Sequence, residues 1–177
     1  MRPYTLPLLF LLVAVPCLAI AADADAKDEE QGDTTYVTAS VALKVKPHKV
    51  RAKLREFEFR RTMSPDVLEM KKLAAGSCER IYVKAKGLVG PIDYITSRCE
   101  LTGYAYAWRE TLIESDDLEE YESFWSVEET TEGSTLTARI RIKLRTSVPQ
   151  RLLDMGLKRS LRRSLRRVAK ELAPPKK

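Results

Sequence analysis

Residues able to perform chemistry are scarce in this sequence, which contains a single histidine and three cysteines. His48 follows Pro47 at the start of a segment rich in lysine and arginine. A side chain at such a helix start faces solvent, so imidazole catalysis is not expected. The few histidine and cysteine residues provide no zinc-ligand set, and the sequence has no glycine-rich phosphate loop. We therefore expect neither a metal nor a cofactor.

Two cysteines in the body of the chain, Cys78 and Cys99, lie in segments with strand-like patterns. If these strands form a hairpin about residues 87–90, Cys78 lies opposite Cys99, and the same register places Glu79 opposite Arg98. A disulfide at this position would stabilise the fold by about 3 kcal/mol in the chain-entropy model. The pattern predicts a Cys78–Cys99 disulfide, with two unbonded buried thiols as the alternative.

The amino terminus has the features of a secretory signal peptide. Arg2 provides a positive charge, residues 6–18 form a mostly apolar run too short to span a bilayer, and small residues end at Ala21. We interpret residues 1–21 as a signal peptide, with a buried amino-terminal helix as the alternative. We therefore expect an exported protein, periplasmic or secreted, in a compartment where paired thiols normally form disulfides.

Composition and hydrophobic periodicity predict the elements that position these residues. The chain has 177 residues, 44% hydrophobic and 32% charged, which is typical of one globular domain. Residues 22–34 are acidic and lack apolar periodicity, so we expect a disordered leader before a domain at 35–173 and a tail at 174–177. The patterns predict strands at 36–45, 78–85, 92–101, 104–113, 121–129 and 136–144, short helices starting at Pro47 and at Ser64, the latter ending at Gly76, and a long helix after Pro149. Residues 58–63 are left unassigned.

The last helix has a leucine stripe on one face and basic residues on the other. The formal net charge of the chain is +6, and the basic face concentrates positive potential along one rod. This face either contacts an anionic membrane or only solubilises a helix whose leucines pack in the core. Nucleic acid is not an expected partner, because aromatic residues are not interleaved with the basic ones. The basic residues are Lys158, Arg159, Arg162, Arg163, Arg166, Arg167 and Lys170.

The order of elements and one local motif resemble a known superfamily. The motif is the segment YESFWSV at 121–127 followed by GSTL at 133–136, which is similar to a Trp-bearing strand, glycine turn and last strand. From about Tyr36 to Leu172 the chain resembles the START-like (SRPBCC) helix-grip superfamily, which includes polyketide cyclase/dehydrase-related and lipid-transport proteins. The resemblance implies an α+β fold: a curved antiparallel sheet of about six or seven strands wrapped around the long C-terminal helix, with two short helices after the first strand.

The resemblance also implies an apolar cavity between the sheet and the last helix. Strand parity and the leucine stripe select candidate lining residues, although each of them can equally be ordinary core. Glu79 and Arg98 share the face of Ile81 and Tyr94, so we expect them to orient the polar head of a ligand if they point inward. The alternative is that they lie at the open end of this face in water, where such a pair contributes little. The candidate lining residues are Val41, Ile81, Val83, Tyr94, Trp108, Trp125, Ile140, Leu157 and Leu161.

Three functions fit this architecture. The first is an exported protein that binds or carries a lipid, sterol or quinone-like molecule, with the loop at 87–91 as a lid because Leu88 and Val89 are apolar at a turn. The second is a cyclase or lyase that uses the same cavity, with Tyr94 or Glu110 in acid/base chemistry. The third is an envelope module that docks on anionic membrane through the basic helix. The sequence favours the first, with an apolar small molecule or lipid as partner.

Overall fold

The computed structural model of the protein describes residues 24–31, 34–101 and 108–173. The predicted signal peptide at 1–21, the predicted tail at 174–177 and the first residues of the strand predicted at 104–113 lie outside this part of the chain. Within the described ranges, no helix is both long enough and apolar enough to cross a membrane.

A curved antiparallel sheet forms the body of the protein, as predicted. The described residues contribute eight strands rather than six or seven, in the order β1-β2-β8-β7-β6-β5-β4-β3. Each neighbouring pair is antiparallel, and β2 pairs with β8, which brings the two ends of the domain together. The strands are β1 (Asp25–Gln31), β2 (Thr34–Leu43), β3 (Val67–Ala74), β4 (Cys78–Lys86), β5 (Pro91–Glu100), β6 (Trp108–Glu114), β7 (Leu118–Thr130) and β8 (Gly133–Leu144).

Three helices accompany the sheet: α1 (Pro47–Arg55), α2 (Phe57–Met63) and α3 (Gln150–Glu171). Pro47 occupies the first turn of α1, and Pro149 immediately precedes α3. Proline suits these positions because the first amides of a helix have no partner within it. The leucine stripe turns α3 toward the concave face of the sheet, and the fold class predicted from the sequence is confirmed.

The second short helix was predicted at the wrong place. Ser64 and Pro65 resemble a helix start, but the helix α2 precedes them and residues 67–74 form the edge strand β3. Val67 and Met70 pair with Ala85 and Val83 of β4. Sheet pairing therefore overrides the local capping signal, because propensity is a weak guide where tertiary partners exist.

The acidic leader is also different from the prediction, because residues 25–31 form β1 and pair with β2. Ala24 and Ala26 are only 2% and 8% exposed, so these small side chains pack inward, and Asp28 shares their face of the strand while Asp25 and Lys27 lie on the other. The Asp28 carboxylate lies 2.6 Å from the Lys158 ammonium of α3. The acidic composition did not indicate this strand, whose charges complement those of the basic helix.

The core is packed solid in one half of the domain. It comprises β2, β8, α1 and the second half of α3, where Val50, Leu54, Leu136 and Leu165 are fully buried. Ala39 and Ala138 face each other across β2 and β8 in this half. Their small side chains permit close approach of α3 to the sheet.

Candidate ligand cavity

A cavity of about 360 Å³ occupies the other half of the domain, between the concave sheet face and the first half of α3. The helix α2 and the edge strand β3 close one side of it. Most of the wall is aliphatic or aromatic, as is typical of sites for apolar molecules. The apolar lining residues are Met63, Val67, Met70, Val83, Ala85, Leu88, Ile92, Trp125, Ile140, Ile142, Leu144, Leu153, Leu157 and Leu161.

The pleat of the strands explains this wall. Alternate residues of a strand share a face, so Ile140 and Ile142 of β8 both point at the cavity. Val83 of β4 lies opposite Tyr94 of β5, and Tyr121 of β7 lies opposite Ile142. Antiparallel register therefore collects one continuous lining from β4, β5, β7 and β8.

Six of the nine candidate lining residues border the cavity: Val83, Tyr94, Trp125, Ile140, Leu157 and Leu161. The other three, Val41, Ile81 and Trp108, are buried but lie outside the lining. Parity placed Val41 and Ile81 on the inward face and left the face of Trp108 undecided, but it does not say where along a strand α3 stops filling the concavity. Trp108 instead packs under the Arg98 guanidinium, 5.0 Å from its ring centroid.

Three polar side chains, Tyr94, Glu110 and Tyr121, form a polar wall within the cavity. The Tyr121 hydroxyl lies 3.2 Å from Glu110 Oε2, and the Ser123 hydroxyl lies 3.5 Å from the same oxygen. The rings of Tyr94 and Tyr121 pack with centroids 5.1 Å apart. These two rings flank an apolar cluster, so their hydroxyl groups are the polar parts of otherwise apolar surfaces.

Burial is the main influence on the two phenols. It raises the pKa of Tyr94, the charge of Glu110 raises that pKa further, and a hydrogen bond with Tyr121 opposes the rise. Burial and the Glu110 charge likewise raise the pKa of Tyr121 well above its ordinary value. Both phenols therefore hold their protons at neutral pH.

The predicted polar pair Glu79 and Arg98 has the expected register but not the expected role. The two residues are cross-strand neighbours on the concave face, yet each has another charged partner and neither lines the cavity. Arg98 Nε lies 3.6 Å from Glu110 Oε1, and Glu79 lies 2.6 Å from Arg60. Burial lowers the pKa of Arg98, and the Glu110 carboxylate opposes that change.

Several polar lining residues were absent from the sequence-based lining, among them Arg60 and Tyr121. Tyr121 has the parity of Trp125 in β7, so the same rule that selected Trp125 could have found it. Arg60 lies in the segment that was left unassigned. It is buried, its Nη1 donates to the Leu54 carbonyl oxygen and its Nη2 donates to Glu79, so its charge is already compensated.

The predicted disulfide between Cys78 and Cys99 is present. Their Cα atoms are 4.4 Å apart, which fits the closer, non-hydrogen-bonded type of antiparallel site. The bond joins β4 to β5 at the end of the hairpin opposite its turn. It therefore fixes the two strands that present Val83 and Tyr94 to the cavity.

The mouth of the cavity lies where the β4–β5 turn meets α3. Leu88 of this turn lines the cavity yet is half exposed, and Val89 beside it is 79% exposed. A Cβ atom at Gly156 of α3 would lie 3.4 Å from Leu88 Cδ2, so the missing side chain leaves room for Leu88. Leu152 and Met155 of α3 are also exposed near this turn of the helix.

Several basic residues of α3 are engaged within the chain rather than directed to a partner. Arg163 forms hydrogen bonds with both oxygens of Asp66, at 2.8 and 2.9 Å. Arg162 donates to the Ala26 carbonyl oxygen, and Arg167 donates to the Thr62 carbonyl oxygen. Arg159 and Arg163 are both exposed and both line the cavity. The basic face is therefore partly a structural surface that holds β1 and the α2–β3 connection.

The sequence and the fold both match known proteins. Residues 34–173 match the family described as polyketide cyclase/dehydrase and lipid transport. No curated protein matches the sequence significantly.

Three solved structures illustrate the likeness in fold. A START superfamily protein from Mycobacterium smegmatis is 14% identical with a TM-score of 0.66, over 78% of this chain and 99% of that one. A STAR-related lipid transfer protein from Xanthomonas axonopodis is 16% identical with a TM-score of 0.65, over 87% and 94%. The Zhui aromatase/cyclase from Streptomyces sp. R1128 is 11% identical with a TM-score of 0.67, over 77% and 92%. With the family match over most of the chain, these similarities show that the protein belongs to the polyketide cyclase/dehydrase and lipid transport family, within the START-like helix-grip superfamily.

Proposed function

We propose that this protein binds an apolar small molecule or lipid non-covalently in the cavity between the sheet and α3. The observation that carries the proposal is the largely apolar cavity of about 360 Å³, bordered by residues from β3 to β8 and from α2 and α3. An apolar ligand that fills this space removes hydrocarbon surface from water. Each Å² of apolar surface buried in this way contributes about 25 cal/mol of favourable free energy.

The similarities support this class of function. Members of the family bind hydrophobic ligands or act as cyclases, and the similar protein from Xanthomonas axonopodis is titled a lipid transfer protein. A fold alone does not determine function, so the proposal depends on the lining of this cavity. The predominance of Leu, Ile, Val and Met in that lining favours a ligand with a large hydrocarbon part.

We further propose that the protein acts outside the cytoplasm as a carrier. The amino-terminal sequence pattern supports export, and the Cys78–Cys99 disulfide supports an oxidising compartment. In such a compartment a protein that shields an apolar molecule from water can move it between membranes.

Binding is favoured over cyclase or lyase chemistry. A base is needed to start such reactions, and the raised pKa values of Tyr94 and Tyr121 make both phenols proton donors at neutral pH. Glu110, the remaining candidate, is held between Arg98 and the hydroxyls of Tyr121 and Ser123. These contacts occupy the carboxylate oxygens that a general base would have to offer to a substrate.

Mass spectrometry of the intact protein under gentle conditions tests the binding proposal. The protein purified from the periplasm of a bacterial host should carry an extractable apolar molecule, and the stripped protein should take up offered fatty alcohols. Leu157→Trp places a large ring in the cavity and should reduce uptake about tenfold or more. Lys170→Trp is the matched control, because Lys170 is exposed in the last turn of the same helix, outside the lining.

Two outcomes would contradict the proposal. One is a bare protein that takes up none of the offered lipids or alcohols. The other is equal uptake by the Leu157→Trp and Lys170→Trp variants, since that result would place the ligand outside the cavity. Circular dichroism of both variants verifies that the fold is retained.

A second candidate function is docking on an anionic membrane, and the composition of the mouth favours it. Exposed apolar side chains of the β4–β5 turn and of α3 surround the opening, and the exposed basic residues Lys86 and Arg159 border it. This pattern of apolar and cationic groups suits the interface of an anionic bilayer. Docking there would bring the cavity opening to the lipid surface.

A further inference from the structure

The wall of the cavity carries more positive than negative charge. Each lining anion has a cation within the chain, since Arg98 pairs with Glu110 and Arg163 pairs with Asp66. Arg60 has its own carboxylate partner outside the lining. The wall therefore keeps a surplus of positive charge after these pairs are formed. Within the described part of the chain, the charged lining residues are Arg60, Lys86, Asp66, Glu110, Arg159 and Arg163.

Arg159 accounts for part of this surplus. It is exposed, and its guanidinium has no ion pair or hydrogen bond with another described residue. One turn away along α3 lie only apolar or basic residues, which are Met155, Gly156, Arg162 and Arg163. The helix therefore offers no carboxylate to Arg159. A guanidinium binds carboxylates and phosphates through a fork of N–H donors, and in Arg159 this fork is available to a ligand.

Arg159 lies on the turn of α3 that meets the end of β4 at the mouth. The β4–β5 turn comes within contact distance of Gly156. The Asp66 carboxylate accepts a hydrogen bond of 2.6 Å from the Ser160 hydroxyl, and the Asp66 carbonyl oxygen accepts one of 2.8 Å from the Lys86 amide. Contacts with this one turn of α3 thus lie on both sides of Lys86, which is exposed there and adds a further positive charge.

The size of the cavity limits the apolar part of a ligand. An apolar cavity of about 150 Å³ already holds benzene, and ligand sites in proteins span about 300–1,000 Å³. The space in this protein, about 360 Å³, is at the small end of that range. It suits one hydrocarbon chain rather than the two chains of a membrane phospholipid.

We propose, on the basis of the proposed binding function, that this cavity selects single-chain amphiphiles with an anionic head, a carboxylate or a phosphate. The tail occupies the apolar interior, and the head stays at the mouth, where Arg159 binds it and Lys86 adds to the attraction. An anion in this position keeps its contact with water and so avoids the desolvation cost of a buried charge. A cationic head on the same tail is repelled.

Competition with a neutral fluorescent probe, N-phenyl-1-naphthylamine, tests this selectivity on the purified protein at low ionic strength. The competitors decanoate, decyl phosphate and decyltrimethylammonium share one hydrocarbon tail and differ at the head. We expect each anion to bind about tenfold more tightly than the ammonium compound, which corresponds to about 1.4 kcal/mol, and added salt to reduce this preference. The two anions show which head is preferred, and acetate, a head without a tail, should displace no probe.

Reversal of the charge at Arg159 gives a second readout. Arg159→Glu should weaken the binding of decanoate about fivefold or more and strengthen that of decyltrimethylammonium, because a repelling charge replaces an attracting one. A loss of structure would instead weaken both. Lys170→Glu is the matched control, because Lys170 is exposed about 16 Å farther along the same helix and outside the lining. Both affinities of this control should equal those of the wild-type protein.

The outcomes separate this inference from the proposed function. Equal affinity of the wild-type protein for the anions and the ammonium compound, or displacement of the probe by acetate, overturns the inference and leaves the binding function intact. Unchanged binding of decanoate by Arg159→Glu also overturns it, and weaker binding of that variant to phosphatidylglycerol vesicles would then assign Arg159 to membrane docking. Displacement of the probe by none of the three tailed compounds argues against the binding function itself.

Discussion

Charged side chains lie within the concave face of the sheet, which is otherwise a place for apolar groups. Glu79, Arg98, Glu110 and Ser123 are successive cross-strand partners from β4 to β7. Desolvation of such charges is costly, and the cost is offset only while each has a partner of opposite charge. We therefore expect these cross-strand partners to tolerate the replacement of two oppositely charged residues together better than the replacement of one alone.

Arg98→Met tests this at the scale of a single residue. It leaves the Glu110 carboxylate, which is only 18% exposed, without its cation, and we expect the free energy of unfolding to fall by about 3–5 kcal/mol. Arg109→Met is the control. Arg109 lies next to Glu110 in β6 but pairs with Glu122 on the exposed face of the sheet, and such pairs contribute about 0–1 kcal/mol. Urea denaturation monitored by Trp fluorescence measures both.

The double variant Arg98→Met with Glu110→Leu should recover much of the loss, because it removes both charges. Equal stability of Arg98→Met and Arg109→Met would contradict the argument. So would a double variant as unstable as the single one.

At the scale of elements, the β4–β5 hairpin is the best determined part of the sequence analysis. Its turn, its disulfide and the Glu79–Arg98 register all follow from one alignment of the two strands. Several residue pairs that must all fit one strand register constrain the predicted structure more than a local pattern does. The Ser64-Pro65 signal had no such second condition, and it produced a helix where β3 pairs with β4.

The disulfide allows a prediction about this hairpin. Replacement of Cys78 and Cys99 by serine should lower the free energy of unfolding by about 3 kcal/mol, because the unfolded chain regains the freedom that the closed loop removes. A reducing agent should lower the denaturation midpoint of the wild-type protein similarly and leave the double serine variant unchanged. A wild-type midpoint that is insensitive to reduction would contradict this expectation.

For the cavity, the sequence predicted which face of the sheet is lined but not how far the cavity extends along each strand. Alternation put Val83, Tyr94 and Ile140 on the face that borders the cavity, because side-chain direction is a local property of a strand. The extent of the cavity depends on where α3 crosses the sheet, which is a property of the folded chain. Val41 and Ile81 therefore share the predicted face but lie outside the lining.

At the scale of the whole molecule, the two halves of the domain have different tasks. The half formed by β2, β8, α1 and the end of α3 is packed and supplies stability. The other half is hollow and opens between the β4–β5 turn and the start of α3. Because the two halves are separate, residues at the mouth can be replaced without disrupting the packed core.

The proposed docking on an anionic membrane through the mouth of the cavity can be tested with lipid vesicles. Binding to phosphatidylglycerol vesicles should exceed binding to phosphatidylcholine vesicles and should weaken with added salt. Leu88→Asp should reduce vesicle binding about tenfold or more, because it places a charge at the insertion point. Cosedimentation with vesicles measures this.

Leu73→Asp is the matched control, because Leu73 is equally exposed but lies at the end of β3 away from the mouth. Its vesicle binding should equal that of the wild-type protein. Similar losses for Leu73→Asp and Leu88→Asp, or equal binding to both lipids, would argue against docking through the mouth.

The acidic character of β1 has a consequence for how copies of this protein behave at high concentration. An outer strand with unpaired backbone groups invites another chain to add to the sheet, and repeated addition produces fibres. Asp25, Asp28, Glu29 and Glu30 lie in β1, so two molecules that meet along it repel each other. At the opposite border, register shifts in β3 interrupt the regular ladder that a second strand would need. Both borders of the sheet thus oppose self-assembly.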